Sequence, residues 1–232
     1  MGDGRVHVWT AAAGDDQRST AKDLLLELAG SLLGRSMDLR REPSGRPYVD
    51  GLAVSISHSR TLVAVAASAA GPVGVDVEDV YQREVAGLAR RWFDPSELEW
   101  MAGEADELTA FLQLWTAKEA VGKALGLGLR NTGLRRRMPL PTSPVPAEQA
   151  PRVEVGADSG GPGDARLPAL RGSLVPSEPD LAVLHLSVDQ PAVLAVALPA
   201  DAGEVLLIEH HGAALRRTVR SRTSFPVVVR GI

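Results

Sequence analysis

Asp76 and Glu78 stand two residues apart in the run Val73-Gly-Val-Asp-Val-Glu78. In an extended chain, residues i and i+2 share a face, so the two carboxylates converge while Val73, Val75 and Val77 take the other side. Two oxygen ligands in that arrangement suit Mg²⁺, which takes one or two carboxylates plus waters and substrate phosphates. A solvated strand face, or salt bridges to nearby arginines, is the plainer reading. A second acid lies in Trp115-Thr-Ala-Lys118-Glu119-Ala-Val-Gly-Lys123. Glu119 and Lys123 are helical neighbours at i,i+4, with Trp115 one turn earlier. A plain ion pair has the same spacing and is worth only ~0.2–0.5 kcal/mol. Lysine usage argues for more. The chain has 25 basic residues, yet only Lys22, Lys118 and Lys123 are Lys. Two of these three flank one glutamate. An ammonium is a compact point charge, whereas Arg is a planar fork, so the choice matters in a tight site or against a phosphate.

Two further groups are candidates for phosphate contacts. Ser55-Ile-Ser57-His58-Ser59 closes a strand with Val54 and Ile56 on one face and Ser55 and Ser57 on the other. Hydroxyls and an imidazole at a strand end can hold a phosphate. A Ser–His nucleophile pair is the competing chemistry, and a surface histidine the bland one. Adjacent residues rarely act as nucleophile and base, and no Gly-x-Ser-x-Gly turn is present. Gly45-Arg46-Pro47 puts a guanidinium in a restricted turn, from which it could pair bidentately with a phosphate. Arg135-Arg136-Arg137 and His210-His211 read as solvated surface.

These residues need elements to position them. Val6–Trp9 reads as a strand. Asp15 or Asp16 is placed to cap a helix through Leu24, Leu25, Leu28, Leu32 and Leu33. Residues 40–50, with Pro43, Gly45 and Pro47, read as a loop entering a strand. Residues 54–59 and 62–67 form a hairpin, and 73–78 another strand. Asp94-Pro95 starts a helix with Glu97 in its first turn. Residues 109–125 form the strongest helix, ended at Gly126. Residues 138–180 are rich in Pro, Gly, Ala and Ser and read mostly as loop, with a possible strand near Val153. Order returns at 181–188 and 192–198. The Arg-rich stretch beyond has no assigned element. The order strand, helix, hairpin occurs twice, a weak sign of two similar halves.

Composition narrows the class. At 232 residues the chain can form one large domain or two small ones packed together. Net charge is −4 and pI about 5.8, which gives no electrostatic reason to expect nucleic acid. The absence of Cys excludes disulfides, thiolate metal sites and a Cys nucleophile. No apolar run reaches spanning length and no signal pattern opens the sequence, so the expectation is a soluble cytoplasmic protein.

Taken in order, Gly45-Arg46-Pro47, Ser55-Ile-Ser57-His58-Ser59, Gly74-Val-Asp76-Val-Glu78 and Trp115-Thr-Ala-Lys118-Glu119-Ala-Val-Gly-Lys123 resemble the 4′-phosphopantetheinyl transferases. The likeness is to the large single-chain type that activates peptide and polyketide synthases. It spans about residues 5–198 and is densest from 45 to 128. The resemblance implies an α/β (α+β) pseudo-dimer of two similar halves, each a small antiparallel sheet packed with helices. The halves would cover 1–72 and 73–200, with the insert near 138–180 in the second and a C-terminal extension over 201–232. It implies transfer of the phosphopantetheine arm of coenzyme A to a serine of an apo acyl or peptidyl carrier protein, releasing adenosine 3′,5′-bisphosphate. By position, Asp76, Glu78 and Glu119 would bind Mg²⁺, with Glu119 also the base, directly or through water. Lys123 would hold the pyrophosphate, and Arg46, Ser57 and His58 would grip coenzyme A phosphates. Lys118 would support the site or contact phosphate. Arg18 would stand in for a basic stretch that relatives carry and this sequence lacks. Glu97 matches another acidic position of the family. The implied protein is a monomer whose partners are coenzyme A and carrier proteins, with neither nucleic acid nor membrane. A Mg²⁺-dependent phosphohydrolase and a non-catalytic binding module are the competing classes.

Overall fold

The computed structural model describes residues 4–127, 133–141, 169–211 and 218–230. The chain opens with strand β1 (Arg5–Ala12) and helix α1 (Gln17–Leu33). Two short strands follow, β2 (Arg40–Arg41) and β3 (Pro47–Tyr48), then the hairpin β4 (Ala53–His58) and β5 (Leu62–Ser68). Next come β6 (Gly74–Asp79) and three helices, α2 (Ala86–Trp92), α3 (Pro95–Gly103) and α4 (Glu107–Ala124). Five strands close the chain: β7 (Leu170–Val175), β8 (Glu178–Leu186), β9 (Ala192–Pro199), β10 (Glu204–His211) and β11 (Thr218–Arg230).

Helix starts follow local chemistry. Asp16 caps α1 by accepting from the amides of Arg18 and Ser19, each at 3.1 Å. Asp94 and Glu97 form a capping box with Pro95 in the first turn of α3. Asp106 accepts from the Thr109 amide at 3.1 Å, so α4 begins two residues before the expected Thr109. Gly126 ends the α4 region at φ +71°, a left-handed turn that favours glycine.

The strands form a mixed nine-stranded sheet in the order β4-β5-β1-β10-β11-β7-β8-β9-β6. The expected two small sheets are therefore joined. The stretch beyond residue 200 does the joining: β10 pairs parallel with β1, and β11 pairs parallel with β7. Strand β7 and the start of β8 also lie where the sequence reads as loop; the possible strand near Val153 lies outside the described residues. Short, weakly apolar strands such as Leu170–Val175 are defined by their pairing partners more than by their own pattern.

The sheet curls until its edge strands β4 and β6 lie side by side. Alternating residues explain how. Val6 and Val8, Leu62 and Ala64, Val75 and Val77, Leu184, Val196, Val205 and Leu207 share one inner core. Their neighbours in sequence face outward: Trp9, Val63 and Val65 pack under Leu24, Leu25 and Leu28 of α1. Val183, Val193 and Ala195 pack under Phe111, Leu114 and Val121 of α4. Period-two strands buried on both faces need no polar side, which is why β5 is apolar from Leu62 to Ala67. No helix among the described residues is long and apolar enough to cross a membrane.

Candidate active site

The edge strands β4 and β6 meet through side chains. Ser55 Oγ accepts from the Val75 amide at 3.0 Å, and Ser57 Oγ accepts from the Val77 amide at 3.3 Å. Ser57 then donates to Asp76 Oδ1 at 2.8 Å. Beyond the strand end, Asp79 accepts from Ser59 Oγ at 2.7 Å, Thr61 Oγ1 at 2.5 Å and the Arg60 amide at 3.0 Å. Serines at every second position of β4 thus do what carbonyls do in an ordinary ladder. Burial pushes Asp79 upward, but the bonds from Ser59, Thr61 and Arg60 outweigh it and hold the carboxyl below its usual range.

Helix α4 lies against the outer face of β6, and one glycine sets how close. A Cβ at Gly74 would stand 1.9 Å from the Ala120 carbonyl oxygen. This approach brings Glu119 and Lys123 beside Asp76 and Glu78. Lys123 Nζ donates to Asp76 Oδ1 at 2.7 Å and to the Val75 carbonyl at 3.0 Å. Its partner is therefore the strand acid rather than Glu119 one turn back. Glu78 is held by Arg83 at 2.9 Å. Glu119 has its pKa pushed up to about 7, chiefly by burial and then by the charges of Asp76 and Glu78, with Lys123 opposing.

A cleft of about 1060 Å³ opens over these acids. Asp76, Glu78, Glu119, Lys123 and Trp115 form its floor, and Arg18, Arg46, Ser57 and His58 also line it. Arg46 lies across Gly126 and donates to the Ala124 carbonyl at 3.3 Å, so the 45–47 turn rests on the end of α4. Ser57 is buried and already donates to Asp76, so it orients an acid from the cleft wall.

Lys118 is not brought into the cleft. It is 1% exposed, turned about 100° around α4 from Glu119, and donates to Glu97 Oε1 at 2.8 Å and to the Arg136 carbonyl. Glu97, also fully buried, accepts in addition from the Met138 amide at 2.8 Å. Burial pushes the Lys118 pKa down while Glu97 opposes it. Of the two expectations for Lys118, the supporting role matches this placement; a phosphate contact does not, because the ammonium has no exposed path to one.

Several lining residues were not expected. Lys22 and Arg41 stand in the cleft, Lys22 one turn after Arg18 on α1. The i,i+4 spacing of Arg18 and Lys22, together with lysine scarcity, is a signal that could have found Lys22. Asp79 had no such signal, since its partners lie 18–20 residues earlier.

The residues suit a divalent cation in donor type and charge. Asp76 Oδ2 is buried with no hydrogen-bond partner, and three carboxylates face two ammonium or guanidinium groups. Hard oxygen donors of this kind are what Mg²⁺ takes. Among the described residues, no three acids or histidines already stand as a closed ligand cluster. Lys123 and Arg83 hold two of the acids instead.

Residues 72–158 match the family model described as the 4′-phosphopantetheinyl transferase superfamily. The chain is 34% identical over 93 residues to the 4′-phosphopantetheinyl transferase gsp of Aneurinibacillus migulanus, covering 39% of this chain and 38% of that protein. It is 31% identical over 121 residues to a putative 4′-phosphopantetheinyl transferase of Haemophilus influenzae, covering 50% and 52%. It is 31% identical over 150 residues to the 4′-phosphopantetheinyl transferase HetI of a Nostoc species, covering 58% and 62%. The matched stretches span from about two fifths to three fifths of these relatives' own length. The resemblance read from the motifs is borne out, and the matched segment holds Asp76, Glu78, Glu119 and Lys123.

Proposed function

We propose that this protein transfers the 4′-phosphopantetheine arm of coenzyme A to a serine of an apo acyl or peptidyl carrier protein. The observation that carries this is the cleft itself: an acid with a pKa of about 7, two further acids and a lysine on its floor, under basic walls. Such a site takes a polyanion and has a proton acceptor matched to neutral pH. The fold reading that goes with it is a pseudo-dimer whose halves divide near residue 72, with the cleft between them.

The chemistry follows from the residues. The carrier serine oxygen attacks the phosphorus that bears the pantetheine arm, its proton passing to Glu119 directly or through a water. The bond to the bridging oxygen breaks, and adenosine 3′,5′-bisphosphate leaves. Lys123 neutralises charge on the pyrophosphate as that bond breaks. Asp76, Glu78 and Glu119 would hold Mg²⁺, which supplies charge neutralisation at the pyrophosphate when bound. Arg46 and His58, with Arg18 and Lys22, bind the remaining phosphates from the cleft wall. Ser57 keeps Asp76 oriented.

Intact-mass spectrometry of apo carrier proteins incubated with this protein, coenzyme A and Mg²⁺ tests the reading. The expected result is a metal-dependent gain of one phosphopantetheine, lost by about 10²–10⁴-fold in Glu119→Gln. Coenzyme A cleaved without gain would put a phosphohydrolase first. Near-normal transfer by folded Glu119→Gln would remove its assigned role.

A further inference from the structure

Asp79 sits at the end of β6, one residue past Glu78, and is 5% exposed. Its carboxylate accepts from three consecutive residues, Ser59, Arg60 and Thr61. These form the turn between β4 and β5, directly after His58. The turn is closed on itself by the Ser59 amide to the Leu62 carbonyl at 2.8 Å. Asp79 is anchored on its own side by register with Ala192 of β9, and the next amide, Val80, bonds the Pro191 carbonyl at 2.8 Å. Arg60 adds a second contact by lying 5.0 Å over the Tyr81 ring.

Strands β4 and β6 share no backbone ladder, so each hydrogen bond named here between His58's end of β4 and the acids of β6 uses a side chain on at least one side. Ser55 and Ser57 secure the middle of β4. Asp79 secures the turn that directly follows His58, and it is the charged member of the set. On the transferase reading, His58 holds the nucleotide-end phosphate of coenzyme A and the acids of β6 face its pyrophosphate, so the ligand fixes a span between them. The two anchor points must match that span, and a misplacement of about 1 Å is costly.

We propose that Asp79 is a positioning residue for coenzyme A, acting through His58 by clamping the 59–61 turn to the strand that bears Asp76 and Glu78. This rests on the transferase reading above. The test compares wild type, Asp79→Asn, His58→Ala and the double variant, with coenzyme A, Mg²⁺ and an apo carrier. Asp79→Asn is expected to raise KM for coenzyme A about tenfold with kcat within about twofold. The double variant should cost no more than His58→Ala alone, because one residue acts through the other. An unchanged KM, or costs that add in the double variant, would overturn the proposal. If Asp79→Asn does not fold, Ser59→Ala/Thr61→Val removes two of the three donors, and a several-fold KM rise that vanishes on the His58→Ala background is expected. Calorimetric titration of coenzyme A in the presence of Mg²⁺ separates the two ideas. Wild type that binds coenzyme A but transfers to no carrier defeats the transferase reading, and a several-fold weaker fit of Asp79→Asn then still supports the clamp. Equal binding by wild type and Asp79→Asn, or binding by neither, defeats the clamp.

Discussion

The front of the chain meets the rest along two joints built in opposite ways. On one side β1 runs beside β10, with seven residue pairs in parallel register from Arg5↔Glu204 to Ala11↔His210. On the other, β4 and β6 touch through Ser55, Ser57 and the Asp79 clamp. The first joint is a backbone ladder over an apolar core, so it rests on burial and main-chain bonds and not on any one side-chain hydrogen bond. The second spends polar side chains where a ladder would use backbone, and the cleft opens over it. A seam held by side chains can carry chemistry because the same groups that close it also orient Asp76. The side chains that cross the ladder joint, Arg5 to Glu204 and His210 to the Thr10 carbonyl, are not among those that line the cleft.

Breaking the ladder should therefore destroy the fold, and breaking the seam should not. Val205 on β10 is fully buried in the inner core shared by both arms. Val205→Asp buries an unpaired charge and is expected to cost more than about 4 kcal/mol, leaving little folded protein. Ser57→Ala, at the seam, is expected to stay folded with a loss of about 1–2 kcal/mol. Far-UV circular dichroism and thermal midpoints read both. A Val205→Asp protein that melts near wild type would end the distinction.

Helix α4 repeats the contrast on its two faces. Lys118 and Lys123 share a residue type and lie five positions apart, yet one is sealed against Glu97 and the other reaches the cleft, its side chain 26% exposed. Lys118→Met strands a buried carboxylate and should cost about 3–5 kcal/mol in chemical denaturation. Lys123→Met should cost about 1–2 kcal/mol, because its pair is partly solvated, while transfer to a carrier falls about 10²-fold or more. Equal stability losses would mean that the two faces are not specialised as their partners indicate.

The sequence carried most of what is local here. The Asp94 capping box, the 54–67 hairpin, the i,i+2 acids of β6 and the i,i+4 pair on α4 all follow from spacing within a few residues. What it did not carry is contact between distant segments. Nothing near Ser55 or Ser57 announces that their hydroxyls face the amides of Val75 and Val77 rather than a phosphate. Lys118 and Lys123 look alike in sequence, and only the packing of α3 against α4 decides which is sealed. Strands β10 and β11 fall in the stretch that reads as Arg-rich and without an assigned element, and their place in the sheet depends on distant partners, β1 about 200 residues before β10 and β7 more than 50 residues before its pairs on β11. Helix α2, short and without a side-chain cap, gave no start signal.

The smallest effect sharpens the seam from its charge. Glu119 binds its proton up to about pH 7, against 4.5 for an ordinary glutamate, mainly because it is buried and then because Asp76 and Glu78 repel its charge. Below pH 4.5 it is protonated whether the chain is folded or not, and its contribution is fully present. As pH rises from 4.5 to 7 the unfolded chain gives up the proton first, so stability falls, and the loss is complete above about pH 7. Asp79 runs in the opposite sense only near and below its ordinary value of 3.8, but buried His185, its pKa pushed below 6.5, also adds stability as pH rises toward that value, so the share of Glu119 is read as the difference between wild type and a variant. The expected loss is about 2 kcal/mol, reduced from the full linkage value because the carboxylate is partly solvated. Relative to wild type, Glu119→Gln should lose the fall in thermal midpoint between pH 4.5 and 7, and above pH 7 it should melt higher than wild type. Saturating Mg²⁺ at pH 7.5 should then raise the wild-type midpoint, since it favours the charge that burial and the neighbouring acids disfavour, and should do much less for Glu119→Gln. Equal slopes in wild type and Glu119→Gln would mean that the three acids do not share a field. A Mg²⁺ response equal in both proteins would move the metal away from Glu119.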